Sequence, residues 1–417
     1  MKKLALLLVC SMFVLTACST PQQSSPSPQK VVLKSYMYGT GGTKDLLDAI
    51  NKKFEEKYPN ITIENEMAPS DQFDTVIKTK LASGDIPDIF GIRPGTSSKS
   101  LVDAGYLMDL SNEPWVSHIQ PALKPSLTYG GKVYGIPLEN NFIATVYNKK
   151  MFDELGLKIP TTWNEFTAVC DTLKKAGKIP MALGLKTPYV NQLVPYTLAA
   201  TIVNKADPEL NNKITEGKAK FAGSAWKTVM DQVLEMKSKG YFNADAMGST
   251  YDQAVQLFTT GKAAMITNGN WVLGSIVAAN PNMQLGVMPI PATNNPDETR
   301  VVSALVVAMG ASAKTKYPQE VKEYLEFLAS PGTLNAYLKG RGALSPFDNV
   351  TISPNPAMQL INQYLTQKKS ADFSGDSWNP AVQGKFMSEA QALYSGAIST
   401  DQMMQDLDTE NAATLKN

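Results

Sequence analysis

Between Val31 and Ile92 the chain alternates between β-prone runs and helical stripes, and this alternation limits its fold more than any other feature of its 417 residues. Val31 to Tyr38 is a continuous β-prone run, as expected of a strand buried on both faces. Gly39-Thr40-Gly41-Gly42 turns the chain, and Thr43 is placed to cap a helix. On that helix Leu46, Ile50, Phe54 and Tyr58 recur four apart in one apolar stripe, until Pro59 ends it. Ile61-Thr62-Ile63 reads as a second strand. Phe73 to Leu81 reads as a second helix ending near Ser83-Gly84, and Ile89 to Ile92 as a third strand. A βαβαβ order predicts a parallel sheet with helices on its faces. Ligands of such sheets bind beyond the carboxyl ends of the strands. The loops Tyr38 to Gly42, Met67 to Gln72 and Arg93 to Ser98 are therefore candidate binding loops.

The chain is too long for one typical domain, so two lobes are expected. Gly131 to Phe152 lies between the two alternations. It predicts a hairpin turn at Gly130-Gly131, an extended crossing through Pro137, and an apolar run from Phe142 to Val146. Beyond it, Thr162 and Glu165 form a capping-box pattern that opens a helix through Phe166, Val169 and Leu173. A strand-like Pro180 to Leu185 follows, then helical stretches at Ala225 to Lys239 and Tyr251 to Phe258. Ala263 to Thr267 is a strand, Asn268-Gly269-Asn270 a turn, and Trp271 to Ala279 a helix. Ser303 to Met309 is again β-prone, and Pro318 and Pro331 each open a helix.

The N-terminus carries a processing signal. Met1-Lys2-Lys3 is the basic region, and Leu4 to Leu15 is an apolar core too short to span a bilayer comfortably. Leu15-Thr16-Ala17-Cys18 resembles a bacterial lipobox, which makes residues 1–17 a signal peptide and Cys18 the lipidated residue. A plain secretory signal is the alternative. Ser19 to Lys30 is rich in Ser, Pro and Gln and suits a solvated tether. Removing Lys2 and Lys3 turns the formal charge from +1 to −1. That gives no electrostatic case for nucleic acid. With Cys10 in the signal and Cys18 at the anchor, Cys170 is left without a disulfide partner and is expected to be a small buried apolar residue.

Catalytic patterns are sparse. His118 is the single histidine, which excludes a HExxH zinc motif and leaves one possible base for a Ser-His-Asp set. No phosphate-binding G-x-x-x-x-G-K-[ST] occurs. Paired carboxylates of the glycosidase kind meet in space, not in sequence, so they stay open.

A set of short landmarks runs in order along the chain. They are Gly84-Asp85-Ile86-Pro87-Asp88-Ile89, Pro137 with Tyr147-Asn148-Lys149, Thr161-Thr162-Trp163-Asn164-Glu165, Gly261-Lys262-Ala263-Ala264-Met265, Gly269-Asn270-Trp271, and Ser330-Pro331-Gly332. In order and spacing they resemble the extracellular solute-binding proteins, family 1, of ABC sugar importers. The resemblance implies an α/β, two-lobed periplasmic-binding-protein-like fold of type II, with the ligand cleft between lobes. It implies a first lobe of residues 31–138 and 303–344, and a second of 139–302 and 345–417. It also implies a saccharide ligand, a permease pair with a separate ATPase, no cofactor or metal, no catalysis, and a monomer. Lipidation at Cys18 would hold the protein on the outer face of the membrane, and Ser19 favours a Gram-positive surface. An extracellular enzyme acting on polysaccharide and a sugar sensor for a signalling receptor are the alternatives.

Candidate ligand-binding residues follow. Trp271 stands at a turn-to-helix junction, where an indole can lie on a pyranose face; the alternative is a core wedge. Trp378, in Gly375-Asp376-Ser377-Trp378-Asn379-Pro380, is flanked by loop-forming residues, as is Tyr189 in Lys186-Thr187-Pro188-Tyr189-Val190-Asn191. Trp115, Trp163 and Trp226 read as packing residues. Tyr38, Asp71, Arg93, Glu139 and Asn141 are the polar candidates. The guanidinium fork of Arg93 can pair with two hydroxyls, although a salt bridge would equally explain Arg93 and Asp71. Asn141 falls where maltodextrin-binding relatives place a carboxylate, a role Glu139 could take.

Overall fold

The computed structural model describes residues 29–416, apart from 40, 71, 122, 353–355 and 368. The lipidation site expected at Cys18 and the candidate Asp71 lie outside the described residues.

Eleven strands occur among the described residues: β1 (Val31–Tyr38), β2 (Ile61–Ala68), β3 (Ile89–Ile92), β4 (Thr128–Tyr129), β5 (Lys132–Val133), β6 (Ile136–Asn148), β7 (Ile179–Ala182), β8 (Ala263–Gly269), β9 (Leu285–Met288), β10 (Val301–Ala311) and β11 (Ser370–Ala371). Nine of them join in the order β2-β1-β3-β10-β6-β8-β7, with β11 on β10 and β9 on β6. The βαβαβ unit is present, with β1 parallel to both β2 and β3. β4 and β5 form the hairpin, and their turn needs Gly130 and Gly131 because φ is 56° and 78° there.

Two cores divide the fold into lobes. The first gathers Leu33, Phe54, Phe90, Ile136 and Leu138 with Leu305, Tyr324 and Leu338. In the second lobe, β6 turns alternate residues to opposite faces, as a strand must. Ile143 and Tyr147 join one cluster with Trp226 and Phe386. Phe142, Ala144 and Val146 join another with Phe258 and Ile276. β6 leaves the first core after Leu138 and joins the second lobe's clusters at Phe142, and β10 leaves those clusters after Val302 and joins the first core at Leu305. The register of β10 against β6 shifts between Ala304 and Ala308. Irregular pairing of this kind locally bends the strand, here at the junction of the lobes.

Several local expectations are revised. β1 is buried on both faces only toward its end: Val32 is 43% exposed, because the start of the strand turns one face to solvent. Thr43 lies inside the helix Gly41–Lys57 and does not precede it. Phe347 and Val350 pack in the first core, so the chain stays with that lobe past Ser345. Thr162 does cap the helix Trp163–Lys175, accepting from Glu165 N–H at 3.2 Å. Trp115, Trp163 and Trp226 are buried packing residues, and Cys170 is buried and unpaired.

Candidate functional site

Strand direction fixes where a cleft can form. β10 is antiparallel to both β3 and β6, so β6 points the same way as β1, β2 and β3. β8 is antiparallel to β6, and β7 is parallel to β8. The carboxyl ends of the parallel strands of the two lobes therefore face each other across the middle of β6. Ile92 aligns through Ala308 with Pro137, and Gly269 aligns with Ile143. Tyr38, Arg93 and Trp271 leave from these ends, where open α/β sheets bind ligands.

The floor between them is a buried polar cluster. Glu139 is fully buried, and its Oε1 accepts from Tyr337 Oη at 2.6 Å and Arg341 Nε at 2.7 Å. Its Oε2 accepts from Asn141 Nδ2 at 2.8 Å. Asn141 Nδ2 also lies 3.1 Å from Asn270 Oδ1, which in turn accepts from Phe142 N–H at 3.0 Å. Arg341 reaches Thr43 Oγ1 with its Nη1 at 2.8 Å. Burial works to weaken the Arg341 cation, and Glu139 together with Tyr337 more than offsets this, so its pKa is raised. This network corrects the expectation for Glu139. Both its oxygens accept hydrogen bonds within the protein, so it joins the lobes and its carboxylate is committed to that network. Asn141, by contrast, keeps a buried Oδ1 with no hydrogen-bond partner among the described residues. An unmatched buried acceptor costs about 1–3 kcal/mol, and a ligand hydroxyl would satisfy it.

On the first lobe, Arg93 lies over the Tyr38 ring at 4.5 Å. Its Nε donates to the Asp74 carboxylate at 2.9 Å, and its Nη2 to Ser70 O at 2.7 Å. The salt-bridge reading of Arg93 is thus the observed one. Tyr38 is buried, donates to Ile92 O at 3.2 Å, and has its pKa raised by that burial, with Arg93 opposing.

On the second lobe, Trp271 and Tyr189 meet edge to face at 6.4 Å, and Tyr189 lies 6.3 Å from Tyr251. All three rings are partly exposed. The indole lies against bare backbone at Gly269, where an added Cβ would come 2.0 Å from the ring. Trp378 is elsewhere. It is 1% exposed, packed against Trp226, Phe221 and Phe386 at 5.1–5.2 Å. The expectation of an exposed loop aromatic is therefore corrected: the loop turns its indole into the core. Its neighbour Asp376 is the residue that faces the other lobe. Burial raises the Asp376 pKa well above the carboxylate range, Asp372 adds to this, and Arg93 opposes it.

The structure thus brings Tyr38 to Arg93, Glu139 to Asn141, and Tyr189 to Trp271, and leaves Trp378 apart. Sequence reasoning missed Arg341, Tyr337 and Asp376. Asp376 stood beside the chosen Trp378. Arg341, just before Gly342 at a helix end, carried no local sign of its partner about two hundred residues away.

A family model described as bacterial extracellular solute-binding protein matches residues 40–334. The multiple sugar-binding protein of Streptococcus mutans is 27% identical over 395 residues, covering 91% of this chain and 90% of that one. A solved structure from work on xylan utilisation by Caldanaerobius polysaccharolyticus superposes with a TM-score of 0.82 at 24% identity, covering 91% of this chain and 99% of that one. The solute-binding protein RafE in complex with raffinose superposes with a TM-score of 0.77, also at 24% identity, covering 92% and 99%. The fold and cleft are those of a two-lobed solute-binding protein. This chain belongs to the bacterial extracellular solute-binding protein family, and it binds its solute outside the cytoplasmic membrane.

Proposed function

We propose that this chain captures a mono- or oligosaccharide between its lobes and delivers it to the permease of an ABC importer. The observation that carries this reading is the partly exposed aromatic wall of Trp271, Tyr189 and Tyr251, set at the strand ends that face the other lobe. Aromatic faces take up the C–H surface of a sugar ring, and amides such as Asn141 take its hydroxyls. Charges beside the cleft are largely paired within the protein, Arg93 with Asp74 and Arg341 with Glu139, which suits a neutral ligand. Relatives named as sugar-binding proteins support the same reading.

The test is a melting screen against neutral saccharides. A binder stabilises the fold by mass action, by about 2.7 kcal/mol at a hundredfold excess over its Kd, and so raises the melting temperature. No stabilising saccharide, or one cleaved on incubation, contradicts the reading.

The second part of the proposal is anchoring through lipid on Cys18, as a monomer on a Gram-positive cell surface. Cys18→Ala is expected to move the protein from the membrane to the soluble fraction with its melting temperature unchanged. A mutant that stays with membranes contradicts it.

A further inference from the structure

The two lobes touch at a second place, away from the strands that join them. The start of the helix Thr96–Asp103, from the first lobe, lies against the turn Ser374–Ser377 of the second. The contact centres on Gly95, whose φ of 92° and ψ of −150° strongly favour glycine. A Cβ at this position would lie 2.8 Å from the backbone oxygen of Asp376 and 3.4 Å from its Cβ. Backbone on the far side cannot yield as the end of a flexible side chain can.

Gly95 is also held in place from behind. Its N–H points to the Tyr129 hydroxyl at 3.1 Å and to Ser126 O at 3.1 Å. The Tyr129 hydroxyl lies 2.8 Å from Gly95 O and 2.9 Å from Ser126 O, and its single proton is donated to one or shared between the two. Ser98 Oγ bonds Arg93 O and closes the same turn. The loop is therefore presented to the other lobe in one fixed shape, with a bare Cα outermost.

We infer that Gly95 is the closure stop of this protein, a positioning residue whose missing side chain lets the Asp376 backbone seat against the first lobe and seal the cleft. The inference rests on the two-lobe closure reading but not on which solute is bound. Hinge strands alone leave the angle between lobes free. A backbone-to-backbone contact at the opposite rim sets its closed limit, and a single methyl group there would hold the rim apart. Sealing matters because water excluded from the cleft strengthens each hydrogen bond to the solute. The effect on binding is thus indirect, through the closed population.

The test uses cross-linking across the rim in the absence of any sugar. Ser97→Cys and Ser377→Cys are introduced into the full chain carrying Cys10→Ser and Cys18→Ser, leaving the buried Cys170 in place. A short bis-maleimide is the probe. It captures closed molecules irreversibly, so a rarely populated closed state still registers as a rate. The parent chain is expected to cross-link within one molecule, and Gly95→Ala is expected to slow this at least tenfold. Gly84→Ala is the control, because φ is 82° there with no atom near the added methyl. It places a methyl group at another positive-φ glycine, away from the rim, and should leave the rate unchanged.

Should Gly95→Ala unfold, Tyr129→Phe is the second variant; it keeps the ring, frees the loop, and is expected to slow cross-linking severalfold. A parent chain that never cross-links overturns the inference, as does Gly95→Ala cross-linking at the parent rate. Either result leaves the saccharide proposal standing, since the melting screen decides that separately.

Discussion

Arg341→Met is expected to lower the melting temperature by roughly 10 °C, the largest effect of any single change outside the main cores. The substitution keeps an unbranched apolar stem but removes the guanidinium whose Nε lies 2.7 Å from the buried Glu139 carboxylate. Breaking a buried pair from one side costs about 3–5 kcal/mol, because the remaining charge is left uncompensated. In a lobe of this size each kcal/mol is about 2–4 °C. Adding Glu139→Gln to the same chain should recover much of the loss, since the stranded charge is gone while Tyr337 and Asn141 keep a hydrogen-bonding partner. Paired melts of the single and double mutants measure this. A single mutant within 2 °C of the parent would show that the cluster does not hold the lobes together.

Trp271→Ala is expected to weaken saccharide binding by about 2–4 kcal/mol, by analogy with aromatic hot spots in protein interfaces. That is roughly 30- to 1000-fold in Kd. The apo melting temperature should hardly change, because the indole is partly exposed and rests on the Gly269 backbone, not among core side chains. Trp378→Ala makes the contrast. That side chain is 1% exposed among aromatic rings, so its truncation should cost about 3–5 kcal/mol of fold stability. Calorimetry with the saccharide found by melting, and a melt of each apo mutant, separate the two roles. Intact affinity in Trp271→Ala would remove the aromatic wall from the site.

The contrast between these tryptophans shows what local sequence could tell. Both stand near glycine and asparagine, Trp271 at a turn-to-helix junction and Trp378 among loop-forming residues, and both read as ligand-facing. Their fates differ because of what packs behind them. Trp271 begins a helix at a strand end, with its indole against the Gly269 backbone. Trp378 precedes the helix Pro380–Ser395 and inserts toward Tyr196, Trp226 and Phe386, which come from distant parts of the chain. The partners of Glu139 were hidden for the same reason. Two residues before Asn141, it could take the carboxylate role expected there, whereas Arg341 and Tyr337 reach it from about two hundred residues away.

The elements read well where periodicity is local. β3 starts and stops where the apolar run does, and Thr162 caps its helix as its spacing requires. β1 was harder, because its run is apolar at the start yet meets solvent on one face there. Direction was legible only in part. A βαβαβ order predicts parallel strands within one lobe. The antiparallel pairing of β6 with β8, which turns the two sets of strand ends toward each other, depends on contacts more than a hundred residues apart.

The central claim is that the lobes close on a saccharide. Small-angle scattering with and without the most stabilising saccharide tests it most directly. The account predicts a smaller radius of gyration on saturation and a scattering curve that matches the structure described here, in which Gly95 meets Asp376. A radius of gyration that does not change while calorimetry shows the site to be filled would contradict it.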